Sequence, residues 1–385
     1  MQRIPIFILI PCVFIAFQQG ALAYWQKNIV WENGTGNYAC YRIPAIIKAP
    51  DGSLLAFAEG RVDNCADFGN VDLLLKKSVD GGKNWSKAKV VVDNGDLQAG
   101  NPAPVVDYYD PRYPGGRIFL FYNIGNASEN DLRHGRGERG VYFITSLDQG
   151  ETWSLPVNIT KQVHFNTSSQ YPTKDWRTHA NTPGHALQMK RGLNKGRIYI
   201  PANHSVGPPQ EGFDEYRAYG YYSDDHGESW SVSPDIDIPS SNEAIGVELG
   251  NGDLMLNIRE QNGRHKQRLI ALSSNGGECW DAVYFDPALI SPVCQSSLLL
   301  FEHKTGDVLV YSGPNSTAKR EKMTLKLSLD AGKSWSKAKE VHSGGAAYSD
   351  LVQVDRESIG IFYEHEFNQL VFEIFFPPTI IGNDR

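Results

Sequence analysis

An eight-residue pattern, Ser-x-Asp-x-Gly-x-x-Trp, recurs five times along this chain and restricts the possible folds more than any other feature. The copies are Ser78–Trp85, Ser146–Trp153, Ser223–Trp230, Ser273–Trp280 and Ser328–Trp335, the fourth with Asn275 in place of the Asp. Each has the parts of a β-hairpin turn. A carboxylate or amide accepts local backbone N–H groups, a Gly is free to take positive φ, and an indole folds back under the turn. From Ser78 to Ser328 the copies span 250 residues in four intervals, a mean period of 62.5, which suits a four-stranded blade with insertions.

Between the boxes lie apolar runs of strand length bounded by Gly, Pro and Asp, with no long amphipathic helical stretch, so the reading is all-β. In the first unit the strands fall near Arg42–Lys48, Ser53–Arg61, Val71–Ser78 and Lys89–Asp93. The fourth unit repeats the scheme with Glu243–Leu249, Leu254–Arg259, Gln267–Ser274 and a strand at Tyr284. The final runs, Leu351–Val354, Ile359–His365 and Leu370–Phe376, make a set of three with no box after them, and Asn28–Trp31 is expected to supply the missing fourth strand. The expectation is a single domain over residues 24–385, a six-bladed β-propeller of four-stranded antiparallel blades whose sixth blade is closed by the N-terminal strand.

The 385 residues carry 44 acidic and 37 basic side chains, and 41 % are hydrophobic, enough core to exclude global disorder. No Lys/Arg block is long enough to follow a phosphate backbone, so nucleic acid is not an expected partner. Residues 1–23 combine Arg3, the apolar run Ile6–Phe17 and the small-residue end Ala21-Leu22-Ala23, and read as a removable secretory leader. Gln18-Gln19 breaks that run, which is short for a membrane span, and no later segment is apolar enough to cross a bilayer. The expected location is secreted or in the lysosomal lumen, an oxidising route. Seven Asn-x-Ser/Thr sequons, at Asn33, Asn84, Asn126, Asn158, Asn166, Asn203 and Asn315, fit a glycosylated product, with Asn84 the weakest because it lies in the first box. Four cysteines remain outside the leader, Cys40, Cys65, Cys279 and Cys294, and three pairings are open.

Gly135-x-Gly137-x-x-Gly140 precedes a strand, Val141–Ser146, rather than opening a helix, so it implies no dinucleotide site. The ten histidines include no His-x-x-x-His pair, and no catalytic metal or other cofactor is expected.

Strand ends in an antiparallel meander alternate between the two faces. With every box joining a third strand to a fourth on one face, the starts of first strands, ends of second strands and starts of third strands share the other. Arg42 begins a first strand, Arg61 ends a second, and Asp67 lies in the loop that follows. Glu243 begins a first strand and Arg259 ends a second; Arg320 precedes a third, Tyr348 precedes a first, and Glu364 is near the end of a second. Arginines, carboxylates and a tyrosine from four blades thus converge on one mouth. Burying such charges without partners costs on the order of several kcal/mol each, which favours a ligand site over a structural role.

The motifs Tyr41-Arg42-Ile43-Pro44, Ala58-Glu59-Gly60-Arg61, Asn242-Glu243 followed by Asn257-Ile258-Arg259, and Ala347-Tyr348-Ser349-Asp350-Leu351 accompany the five boxes. With them the chain outside the leader resembles the exo-α-sialidases (neuraminidases), propeller glycoside hydrolases acting on sialylated glycans. The resemblance implies that Arg42, Arg259 and Arg320 grip the sialic acid carboxylate, a task suited to guanidinium forks. It implies Asp67 as the catalytic acid, by its offsets from Arg42 and from the first box, with Asp63 and Asp72 as nearby competitors. Tyr348 would be the nucleophile and Glu243 its base. A carboxylate nucleophile would be repelled by the substrate's own carboxylate, and a phenol of pKa about 10 needs a neighbouring base. Glu364 resembles the carboxylate that orients the first arginine, and Arg61 the one that contacts the sugar near its 4-hydroxyl.

Hydrolysis with net retention through a tyrosyl intermediate is the leading reading. A trans-sialidase or intramolecular trans-sialidase, a hydrolase of a deaminated sialic acid, and a non-catalytic sialoglycan-binding propeller stay beside it, with Trp176 and Tyr216 as aromatics that could flank the mouth. Cys40 and Cys65 stand two residues before Arg42 and Asp67, and a disulfide between them is expected to tether the acid loop, leaving Cys279–Cys294 as the other pair.

Overall fold

The computed structural model describes residues 27–165, 174–335 and 337–377. The expected leader and the Asn166 sequon lie outside them. The first blade comprises Cys40–Lys48, Leu54–Arg61, Val71–Ser78 and Lys89–Val92, within two residues of the expected bounds. The second comprises Gln98–Asp107, Arg117–Gly125, Arg139–Ser146 and Val157–Asn158. In the third, the innermost strand is split into Trp176–Asn181 and Leu187–Gln188, both pairing with Ile198–Val206, followed by Tyr216–Ser223 and Ser231–Val232. The fourth is Ser241–Glu248, Leu254–Glu260, Gln267–Ser273 and Ala282–Ile290.

The fifth and sixth blades share one long strand, Lys337–Gln353. Its first half pairs with Glu321–Ser328, which pairs in turn with Val308–Pro314 and that with the innermost strand Ser297–Phe301, and its second half pairs with Ile359–His365. Gln369–Phe375 follows, and Lys27–Glu32 pairs antiparallel with it as the outermost strand of the sixth blade. The N-terminal strand thus closes the ring as the sequence implied.

Six hydrophobic cores occupy the six gaps between neighbouring blades, the last joining Val30 and Phe372 of the sixth blade to Tyr41 and Leu74 of the first. The boxes link blades to each other. In the first, Ser78 Oγ donates to Asp80 Oδ1 at 2.8 Å and accepts the Gly82 N–H, while the Asp80 carboxylate takes the N–H groups of Lys83 and Asn84 at 3.1 and 2.9 Å. Gly82 has φ +88°, and a Cβ there would meet a Phe372 ring carbon at 2.1 Å, so the turn sits hard against the sixth blade. Trp85 meets the edge of the same ring at 5.4 Å between centroids. Asn275 makes the same turn bonds in the fourth box, to Ser273 Oγ and the Cys279 N–H, so the amide substitutes for the carboxylate.

Cys40 and Cys65 form the expected disulfide. The second expected pair does not form: Cys279 is exposed in the turn of the fourth box and Cys294 is buried at the mouth. The nine-residue strand Ala282–Ile290 runs between them, about 30 Å of extended chain from one face to the other. Of the sequons, Asn203 is buried, and Asn33 uses its amide to accept from the Tyr41 N–H and to donate to the Phe367 carbonyl. Asn84, Asn126 and Asn158 are exposed.

Candidate active site

The first strands of the first, fourth and sixth blades break register as they reach the mouth. The shifts fall between Arg42 and Ala45, between Ser241 and Ala244, and between Ala346 and Ser349. Each is a β-bulge, which re-aims side chains at a strand end. The residues inside or bordering them include Arg42, Glu243 and Tyr348. Ile43, next to Arg42, has φ +58°, costly for a β-branched residue. Its N–H donates to Glu364 Oε1 at 3.1 Å, the same carboxylate that holds Arg42, so the strained backbone and the guanidinium are fixed together.

The side chains form one contiguous network. Arg42 Nε and Nη2 donate to the two oxygens of Glu364 at 3.1 and 3.2 Å, a bidentate pair, and its Nη1 reaches Asp67 at 3.3 Å. Arg61 Nη1 donates to Asp67 at 2.8 Å and to the Cys65 carbonyl at 2.7 Å, so the loop is gripped at the disulfide half-cystine and at the acid two residues beyond it. Arg259 Nη1 donates to Glu243 at 2.5 Å and to the Tyr348 hydroxyl at 2.9 Å, and that hydroxyl donates to the other oxygen of Glu243 at 2.5 Å. The guanidinium carbons of Arg42 and Arg320 lie 5.2 and 5.6 Å from the centre of the Tyr348 ring. Arg320 is anchored by the Val293 carbonyl at 3.0 Å. All eight residues named from the sequence therefore lie at one mouth. Of the competitors to Asp67, Asp72 is buried against the Tyr38 hydroxyl, and Asp63 is exposed.

Electrostatics follow from this packing. Burial, then the Glu243 carboxylate, raises the pKa of Tyr348 far above that of a free phenol despite the three arginines, so the resting hydroxyl is neutral. The Asp67 side chain is 79 % exposed. Its partial burial pushes its pKa up, but Arg61 first and Arg42 next outweigh that and hold it below the usual value. Cys294, buried behind Tyr348 and Ile43, has its thiol pushed up by burial.

Two supporting residues carried no role in the sequence reading. Glu59 is buried, takes Arg61 Nε and Nη2 at 3.1 and 2.7 Å, and accepts the Asn101 N–H at 2.9 Å. Gln98 donates to the Asp67 carbonyl at 2.9 Å. Strand alternation was the available signal for Glu59, because residues two apart share a face. Trp176 and Tyr216 do not flank an open mouth. Alternation turns Trp176 into the core between the second and third blades, stacked on His204 at 3.5 Å, and Tyr216 is buried with its hydroxyl on Glu129.

Among the described residues two groups have metal-ligand composition, neither containing a mouth residue. Asp107 and Asp110 are already met by Arg112 and Arg117, and the His226 ring by Asp107. In the group of His342, His365 and Glu366, the Lys27 ammonium lies against the His365 ring.

Residues 52–361 match the model of the BNR repeat-like domain family. A sialidase from Micromonospora viridifaciens is 28 % identical over 374 residues, covering 90 % of this chain but 53 % of that protein, so the chain spans about half its length. Sialidase-2 of Cricetulus griseus is 29 % identical over 377 residues, covering 91 % of this chain and 95 % of that protein. Among solved structures, the Hadza microbial sialidase Hz136 superposes with a TM-score of 0.76 at 24 % identity, covering 89 % of this chain and 67 % of that one, a likeness of fold. The chain belongs to the BNR repeat-like domain family, and the relatives it matches are sialidases.

Proposed function

We propose that this protein is an exo-α-sialidase, a retaining glycoside hydrolase that removes terminal α-linked sialic acids from glycoproteins, glycolipids and oligosaccharides. The observation that carries the reading is the 2.5 Å contact between the Tyr348 hydroxyl and Glu243, set among three guanidinium groups. A site that only bound sialoglycans would need the arginines but not this pair.

In the mechanism, Arg42, Arg259 and Arg320 bind the substrate carboxylate. Glu364 fixes the plane of Arg42, so little side-chain freedom is lost on binding. The Tyr348 oxygen attacks the anomeric carbon while its proton passes to Glu243. The glycosidic bond breaks, and Asp67 protonates the departing oxygen. Asp67 then takes a proton from water, which displaces Tyr348, the proton on Glu243 returns, and configuration is retained overall. The free site holds the Asp67 pKa low, which opposes an acid role, but the arriving carboxylate offsets the cationic field of Arg42 and moves that pKa upward.

Residues 1–23 would be removed on a secretory route to the lysosomal lumen or the exterior. The disulfide suits that route, and no helix among the described residues is long and apolar enough to cross a membrane.

The test is release of an aryl alcohol from an aryl α-sialoside by the purified protein, with Tyr348→Phe alongside. Turnover by the parent and its collapse in a folded variant is the expected result; no turnover by the parent would overturn the proposal. A transferase would pass the sugar to a second glycan instead of water, so product analysis separates the two.

A further inference from the structure

A further arginine stands behind the mouth. Arg268 lies near the start of the third strand of the fourth blade, Gln267–Ser273, and at 1 % exposure it is among the largest fully buried side chains. The pairing of that strand with Leu254–Glu260 ends at Ile258 opposite Leu269, so Arg259 and Arg268 are the next residue on each. A register shift between Gln267 and Arg268 marks a bulge there, like those at the mouth residues.

What Arg268 lacks is an anion. Its Nε donates to Asn257 Oδ1 at 2.5 Å, its Nη2 to the Asn257 carbonyl at 3.4 Å and its Nη1 to the Cys294 carbonyl, all neutral acceptors. Arg42, Arg61 and Arg259 each hold a glutamate, whereas Arg268 has no ion pair among the described residues. Asp286, its cross-strand partner, uses its carboxylate on the Ala288 N–H and the Trp335 indole N–H. Burial pulls the pKa of Arg268 below that of a free arginine, Arg259 pulls the same way and Glu243 pulls back, so its charge is felt at the mouth. An arginine nevertheless keeps its proton at any working pH, and a buried cation without a counter-ion is costly.

The two segments that Arg268 clamps carry the grip. Asn257 precedes Arg259 by two residues on one strand, and its Oδ1 also accepts from Ser296 Oγ at 2.9 Å. The Cys294 carbonyl follows that of Val293, which anchors Arg320 at 3.0 Å. Val293 has φ +62°, strained for a β-branched residue, and the clamp on the next carbonyl holds it there. Gln295, next along, accepts the Ser349 N–H and donates to the Ser349 carbonyl, both at 2.9 Å, beside Tyr348.

We propose that Arg268 is a positioning residue for the carboxylate grip: its clamp sets Arg259 and Arg320 relative to each other, and its unneutralised charge adds to the field that draws in a carboxylate it never touches. This deepens the sialidase reading and rests on it for the identity of the ligand.

Asn257→Asp tests the charge. The amide Nδ2 of Asn257 is buried without a partner, so an aspartate keeps both bonds at Oδ1 and gives Arg268 the counter-ion it lacks. Isothermal titration with a non-hydrolysable thio-linked α-sialoside reads the grip without turnover. The variant is expected to melt no lower than the parent yet to bind about fivefold more weakly, a divergence that a purely structural role would not produce. Arg268→Lys keeps the charge and loses the fork, so it should bind more tightly than Arg268→Met, and with the aryl sialoside both should raise KM more than they lower kcat. Unchanged affinity or a lower melting temperature in Asn257→Asp, or parent affinity in a folded Arg268→Met, would overturn the proposal. A parent that binds the thioside without cleaving the aryl sialoside would end the hydrolase reading, while the titration still decides this one.

Discussion

Tyr348 is held on every side at the mouth that the contacts show, with its hydroxyl between Glu243 and Arg259 and its ring flanked by Arg42 and Arg320. Replacing Glu243 by Gln keeps a hydrogen-bonding group of the same shape but removes the proton acceptor. Turnover of an aryl sialoside is expected to fall by about a hundredfold or more without loss of fold, read from steady-state kinetics and circular dichroism. Asp67 gives a pH prediction with a definite sign. Its pKa is depressed in the free site and rises when a carboxylate offsets Arg42, so on the alkaline limb the apparent pKa in kcat should exceed that in kcat/KM. Equal values would contradict the proposed coupling. The eight mouth residues were legible because strand parity and short motifs both fix where a side chain emerges. The bulges at Ile43, Glu243 and Tyr348 were not, since register shifts depend on cross-strand partners that one segment does not display.

At the scale of the element, the loop after Arg61 is held by the Cys40–Cys65 disulfide, by Arg61 and by Gln98. Cys40→Ser with Cys65→Ser should loosen Asp67 while leaving the Tyr348 pair alone. The expected signature is selective: cleavage of a natural glycosidic bond, whose leaving alkoxide needs a proton, falls far more than cleavage of an activated aryl sialoside. An equal fall for both substrates would mean the disulfide acts only on stability. The third blade carries a different liability. His164, His179 and His204 are fully buried, and burial lowers all three pKa values, that of His164 to about 3. Unfolded histidines take up protons below about pH 6.5 while these do not, so stability drops on acidification by up to about 1.4 kcal/mol per pH unit for each. Urea midpoints should fall between pH 7 and pH 5, and a flat profile would count against this. None of these burials was visible in the sequence, because a histidine in a strand reads the same whether its face is covered or open.

For the whole molecule, the ring was legible because the boxes mark its period and the strand count left one vacancy. The cysteine pairing was half legible: proximity to two mouth residues located Cys40 and Cys65, but elimination misplaced Cys279 and Cys294, which the ring puts on opposite faces. Deleting Lys27–Glu32 would expose Gln369–Phe375 as an open edge and uncover the core around Trp31. Such a variant is expected to self-associate, seen as mass above the monomer in light scattering, unlike the intact chain at equal concentration.

The closing strand also sets an order of events during synthesis. Glu32 pairs with Gln369, 337 residues later, so the closing strand must wait for the partner that completes its blade. At about 5–20 residues per second that wait lasts tens of seconds, during which Trp31 and the open side of the first blade have no partner. The cell therefore handles an unlatched ring until Gln369–Phe375 has been delivered, and chaperone demand should peak just before then.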